Sequence, residues 1–264
     1  MFKFCNLYSG SSGNCSLVET ENTKILVDAG VTAKKIQDGL KECNVSLSQI
    51  DAIIVTHEHS DHVKGLQVLC KNNDINVYAN SRTFTMMKQS IPESQKKYFN
   101  TNEFFEINDL RIYPFSIPHD AADPCGFSIF HNKNKVSIAT DIGHMENRIL
   151  DELSGSNYVL LESNYEPDML KCSKYPYSLK KRILGENGHL SNEEAANTIS
   201  ILTKQGVKNF SLGHLSEQNN LPELAYQTAM NQIISKNVFD DKLRLNVCDR
   251  YKPNNAIDIE QIAI

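Results

Sequence analysis

The densest chemistry in this chain lies in Thr56-His57-Glu58-His59-Ser60-Asp61-His62, where four ligand-type side chains fall within six positions. His57 and His59 are two residues apart, so in extended backbone they point the same way. Asp61 and His62 come next, where a turn enters a helix, and can face a second point. Imidazole and carboxylate suit zinc, manganese or iron. Three more such residues close apolar runs: His119 after Phe115-Ser116-Ile117-Pro118, Asp141 after Val136-Ser137-Ile138-Ala139-Thr140, and His214 after Phe210-Ser211-Leu212-Gly213. Five His and two Asp are too many for one tetrahedral ion. They suit two divalent ions, Zn²⁺ or Mn²⁺, that lie ~3.5–4 Å apart, share one carboxylate and hold a hydroxide between them.

Such a set needs rigid supports, and strand ends fixed by a core supply them. Strands are expected at residues 2–9, 15–19, 24–27, 52–55, 76–79, 104–107, 110–117, 126–130, 136–139, 158–161, 209–212 and 243–247. Helices are expected at 33–43, 63–70, 145–153, 193–204 and 222–234, with the polar stretch 164–188 left without an element. Strands clustered within each half, with helices interspersed, suit two sheets packed together with helices outside rather than a strictly alternating parallel sheet.

With 264 residues, 40% of them hydrophobic, the chain can build a substantial core, and residues 1–264 read as a single domain. No run approaches the roughly 18 apolar residues of a spanning helix, and the first residues lack the apolar core of a signal peptide. Seven Cys without a CxxC pair read as reduced thiols in a cytoplasm, with no membrane partner. The net charge of -5 argues against a general nucleic-acid coat, which would be basic.

The HxHxDH segment with its downstream His, Asp and His resembles the metallo-β-lactamase superfamily of hydrolases, and Asp28 in Val27-Asp28-Ala29-Gly30 matches that superfamily's first motif. The resemblance implies an α+β fold, a four-layer αββα sandwich of two mixed sheets with helices on the outer faces. It also implies that His57, His59 and His119 bind one ion and that Asp61, His62 and His214 bind the other. Asp141 would bridge, and Asp28 would orient a ligand His by accepting its far N–H.

Three further segments narrow the reaction. In Ser9-Gly10-Ser11-Ser12-Gly13-Asn14-Cys15, a Gly/Ser loop between two strands can bring backbone N–H groups to an anion, which makes Ser11, Ser12 and Asn14 substrate-binding candidates. In Gly188-His189-Leu190-Ser191-Asn192-Glu193-Glu194, Ser191 and Glu194 form a capping box that sets His189 just before a helix. In Leu161-Glu162-Ser163-Asn164, the Glu, paired with His189, resembles the Glu–His couple of the tRNA 3′-processing branch. There the His protonates the leaving group or contacts phosphate and the Glu tunes it. Catalytic candidates are thus Asp61, His189 and Glu162, and Asn164 joins the substrate-binding set. Lys180, Lys181 and Arg182, beside Tyr175 and Tyr177, can follow a phosphate backbone.

Together these segments resemble the YycJ/WalJ-like group of bacterial metallo-β-lactamase-fold proteins. That resemblance implies a metal-dependent phosphodiesterase and 5′-to-3′ exodeoxyribonuclease, with nucleic acid, DNA ahead of RNA, as its substrate. Two other functions fit the same ligands: a small-molecule hydrolase of the thioesterase or lactonase type, and a metal-binding scaffold without turnover. A compact ester needs neither GHLSN nor the KKR stretch, and purely structural sites close with four ligands.

Overall fold

The structure, a computed structural model, describes residues 1–262. Its first half contains β1 (Phe2–Tyr8), β2 (Cys15–Thr20), β3 (Lys24–Val27), α1 (Ala33–Glu42), β4 (Ala52–Ile54), α2 (Ser60–Val63), α3 (Leu66–Asn72), β5 (Asn76–Ala79), α4 (Ser81–Met86) and β6 (Lys96–Tyr98). The second half contains β7 (Phe105–Ile107), β8 (Leu110–Ser116), β9 (Cys125–His131), β10 (Asn134–Ala139), α5 (Asn147–Leu153), β11 (Tyr158–Glu162), α6 (Pro167–Cys172) and α7 (Tyr177–Ile183). It continues with α8 (Asn192–Lys204), β12 (Asn209–Gly213), α9 (Pro222–Ser235), β13 (Arg244–Val247), β14 (Ile257–Asp258) and α10 (Ile259–Ile262).

The strands form two seven-stranded mixed sheets, in the orders β14-β1-β2-β3-β4-β5-β6 and β13-β12-β11-β10-β9-β8-β7. Each sheet is antiparallel on one side and parallel on the other: β3 to β6 run parallel in the first, β10 to β13 in the second. Alternation along the strands builds three apolar layers. Ile25, Val27 and Ile54 face Ile112, Phe127, Ile138, Tyr158 and Leu160 between the sheets. Leu26, Ile53 and Val77 point the other way, onto Ile36 and Leu40 of α1 and Leu66 of α3. Val159, Leu161, Phe210 and Leu212 do the same on the second sheet, against α5, α8 and α9. Strands covered on both faces need unbroken apolar runs, which is why KILV, AII and YVLL carry no polar alternation. The result is the four-layer αββα sandwich.

Some elements depart from expectation. The helix expected at 63–70 is two pieces, α2 and α3, parted at Gly65. A Cβ at Gly65 would lie 2.6 Å from the Val31 carbonyl oxygen, so the break is where the chain meets the loop after β3. The polar stretch 164–188 holds α6 and α7, each started by a proline at or next to its first residue. The short elements α4, β6 and β14 also went unanticipated. No described helix is long and apolar enough to cross a membrane.

Candidate metal centre

Strands deliver their ligand-type residues at their carboxyl ends, from the parallel β3, β4, β10 and β12 and from the antiparallel β8. Asp28 follows β3, and His57 to His62 follow β4 and run into α2, with His59 at its N-cap. His119 lies beyond β8, Asp141 beyond β10, and His214 directly after β12. Asp28, Asp141 and His214 all adopt left-handed backbone, with φ of 63°, 62° and 55°. That conformation costs a non-glycine residue on the order of 1 kcal/mol, and such strain concentrates at functional sites. Gly30 explains the last letter of the VDAG motif. A Cβ there would fall 1.6 Å from the Asp61 carbonyl oxygen, and its N–H donates to the Asn14 carbonyl at 2.8 Å. The glycine lets the loop after β3, the Gly/Ser loop and α2 meet backbone to backbone.

The seven residues gather into two adjoining groups. His57, His59 and His119 each offer a ligand atom within 4.8 Å of the other two, and Asp61, His62, Asp141 and His214 do likewise. Asp141 stands between them: its Oδ2 is 3.1 Å from His62 Nε2 and its Oδ1 is 3.7 Å from His119 Nε2. Asp61 Oδ2 lies 3.3 Å from His214 Nε2 and 3.4 Å from His62 Nε2.

The outward nitrogens are already committed. His119 Nδ1 donates to the Gly188 carbonyl at 3.0 Å. His62 Nδ1 donates to Asp28 Oδ2 at 2.8 Å, and Asp28 also accepts the Thr56 N–H at 2.9 Å and the Thr56 hydroxyl. His214 Nδ1 donates to Glu162 Oε1 at 2.7 Å. A ring whose Nδ1 carries the proton presents a bare lone pair on Nε2, the form that ligates a metal. Two inward atoms lack a hydrogen bond though buried: His57 Nε2, and Asp141 Oδ2, which faces the His62 Nε2 lone pair at 3.1 Å. Buried orphans are rare in a folded protein. Their presence at the seam of two ligand groups fits divalent cations bound there.

Electrostatics agree. Burial holds the His57 and His119 pKa values below that of free imidazole, which favours their neutral form. Burial works to lower the His214 pKa as well, but Asp141, Asp61 and Glu162 outweigh it and push it up to about 10. Burial acts to lower the His62 pKa too, but Asp28, Asp141 and Asp61 push it up. The surplus of carboxylates favours positive charge at this centre, which a bound metal would supply.

Beside the second group stands a fully buried carboxylate. Glu162 Oε1 accepts from His189 Nδ1 at 2.9 Å and from His214, while Oε2 accepts the N–H groups of Ile142 and Leu190 at 2.8 and 3.0 Å. Burial favours its protonation, yet His189 and His214 hold its pKa at about 2. His189 sits two residues before the N-cap Ser191, whose capping box with Glu194 forms as expected. Its Nδ1 is 3.7 Å from Asp141 Oδ1.

The expected substrate-binding residues divide. Ser11 and Ser12 are exposed at the tip of the Gly/Ser loop. Asn14 is buried instead, its Oδ1 accepting the Gly10 N–H and its Nδ2 3.2 Å from His62 Nε2. Asn164 is buried too and donates to the His214 carbonyl at 2.8 Å, so both asparagines touch site histidines. Lys180 donates to the Lys171 carbonyl, Arg182 pairs with Asp120, and Lys181 is exposed. His144 donates to the Glu186 carbonyl at 2.9 Å and lies 3.2 Å from Glu146. Three contributors were not anticipated. Thr56 packs its hydroxyl between Asp28, His57 and His62, and Glu58 accepts the Ala122 N–H at 2.9 Å. Asp120 places Oδ1 3.4 Å from His119 Nε2; its signal was a second acid directly after a strand-end His.

Residues 23–214 match the family described as Beta-lactamase superfamily domain. This chain belongs to that family. Within the beta-lactamase superfamily it is similar to Exodeoxyribonuclease YycJ of Bacillus anthracis, at 37% identity over 89% of this chain and 90% of the relative. It is equally similar to Exodeoxyribonuclease WalJ of Streptococcus pneumoniae, 37% identical over 88% of each chain. In fold it is similar to the metallo-beta-lactamase fold protein YhfI from Bacillus subtilis, with a TM-score of 0.71 at 13% identity over 97% of this chain and 100% of that one.

Proposed function

We propose that this metal-dependent hydrolase is a 5′-to-3′ exodeoxyribonuclease that cleaves phosphodiesters with two divalent ions, working as one catalytic domain over residues 1–264. The observation that carries the reading is Asp141 lying between two ligand groups, with the Glu162–His189 couple 3.7 Å from the same carboxylate. The similarity to the two exodeoxyribonucleases over nearly the whole chain supports DNA as the substrate.

In this reading His57, His59 and His119 would hold one ion and Asp61, His62 and His214 the other, with Asp141 available to both. Zn²⁺ or Mn²⁺ bound there would supply an acidified water as nucleophile and positive charge against that building on the phosphate. Asp28, Gly188 and Glu162 keep the ligand rings in register through their far nitrogens. His189 acts on the leaving oxygen. Its Nδ1 is fixed on Glu162, which leaves Nε2 to carry a proton. The buried carboxylate stabilises the imidazolium until that proton is given up. Exposed Ser11, Ser12 and Lys181, with Arg182, meet the strand at the rim.

Single-stranded DNA labelled at either end tests this. A 5′ label should be released as mononucleotide at the first time point, while a 3′ label should pass through a descending ladder. A 3′ label released first reverses the polarity, and intact DNA beside hydrolysis of small esters rejects the nuclease.

A further inference from the structure

Arg182 and Asp120 form a two-point ion pair that joins the basic helix α7 to the metal centre. The guanidinium donates through Nε to Asp120 Oδ2 and through Nη2 to Oδ1 at 2.9 Å. The same Oδ1 lies 3.4 Å from His119 Nε2 and 3.9 Å from His59 Nε2, the inward nitrogen of one ligand and a ring nitrogen of another. One carboxylate therefore serves two claimants: an arginine on the rim and the space the histidines enclose. The side chains of Arg182 and Asp120 are 50% and 33% exposed, and pairs so open to water hold little net stability and exchange partners easily.

We infer that Asp120 couples metal binding to nucleic-acid binding, by releasing Arg182 for a substrate phosphate when a cation occupies His57, His59 and His119. The inference rests on the nuclease reading for the identity of the anion. A divalent charge beside Oδ1 pulls the carboxylate inward and weakens its hold on the guanidinium. Arginine is suited to the exchange, because its planar fork matches phosphate as well as carboxylate. The coupling is reciprocal: a phosphate that takes Arg182 frees Asp120 to face the cation, so metal and DNA bind cooperatively. Asp120 is thus a positioning residue.

The test uses the full chain and two readouts that need no turnover. Calorimetric titration with Mn²⁺ alone compares wild type with Arg182→Met. Losing the competing guanidinium should tighten Mn²⁺ binding about fivefold. Damage to the fold would weaken it, and an equal or weaker affinity overturns the coupling. Fluorescence anisotropy with a phosphorothioate-linked single strand, without metal, compares wild type with Asp120→Ala. The variant's freed arginine should bind the strand about fivefold more tightly. Binding no tighter than wild type also overturns the coupling. A wild type that binds no oligonucleotide with or without Mn²⁺, beside tighter Mn²⁺ binding in Arg182→Met, rejects the nuclease reading and with it the coupling to nucleic acid, and leaves only the competition of Arg182 and the cation for Asp120.

Discussion

Glu162 and His214 meet at 2.7 Å, Oε1 to Nδ1, and the same oxygen is 2.9 Å from His189 Nδ1. One buried carboxylate therefore orients a proposed metal ligand and a proposed general acid together. Glu162→Gln keeps the shape and removes the charge. It should lower metal affinity or turnover about 10–100-fold, the usual cost of losing a partner behind a ligand. Metal content and rate measured on the same sample would show whether the two change together, and an unchanged pair of values would sink the shared role.

His189→Ala separates acid catalysis from metal binding. Metal content should stay at the wild-type level, while DNA cleavage slows roughly 10²–10⁴-fold. Bis(p-nitrophenyl) phosphate, whose leaving group needs no proton, should suffer far less. Equal losses on both substrates would remove His189 from leaving-group protonation.

Asp28 accepts from His62 Nδ1, the Thr56 N–H and the Thr56 hydroxyl. Asp28→Ala leaves these donors buried and unpaired, at about 1–3 kcal/mol of stability. Metal affinity should fall about 10–100-fold as the His62 ring loses its orientation. Thermal unfolding with and without metal reads both effects; a variant that melts and binds metal like wild type contradicts them.

Asp109 gives a prediction outside the site. Its carboxylate accepts from the Thr20 and Thr23 hydroxyls and so ties the β2–β3 turn to the β7–β8 turn. Partial burial acts to raise its pKa, but the two threonines prevail and the folded value is lowered. A lowered folded pKa means that the stabilisation is complete above the unfolded value, about 3.9, and fades as pH falls through the folded one. Asp109→Asn should cost about 0.5–1.5 kcal/mol at pH 7 and progressively less below pH 4. Urea unfolding across that range checks it, and a gap that stays constant with pH contradicts the assignment.

Much of the centre was legible because each of its parts is local. An apolar run ending in His, Asp or HxHxDH is visible along the chain, and the two-sheet sandwich follows from runs such as YVLL. The capping box at Ser191 likewise needs only four consecutive residues. Pairings made in space were not legible. Arg182 meets Asp120 across 62 positions, and Asn14 and Asn164, read from the sequence as substrate-binding residues, are buried by the fold against His62 and His214. The helices α6 and α7 have six and seven residues, too short to show a 3.6-residue period. At Gly65 the N–H donates to the Ala29 carbonyl at 2.8 Å instead of within its own helix, another pairing made in space.

The claim at the centre is that Asp141 is shared by two ions in a nuclease. Inductively coupled plasma mass spectrometry on wild type and Asp141→Ala, with DNA cleavage assayed on the same preparations, tests it most directly. Wild type should carry about two divalent ions per chain. Asp141→Ala should lose one or both, and cleavage should vanish with them. A variant that keeps the wild-type metal content and the wild-type rate would contradict the account.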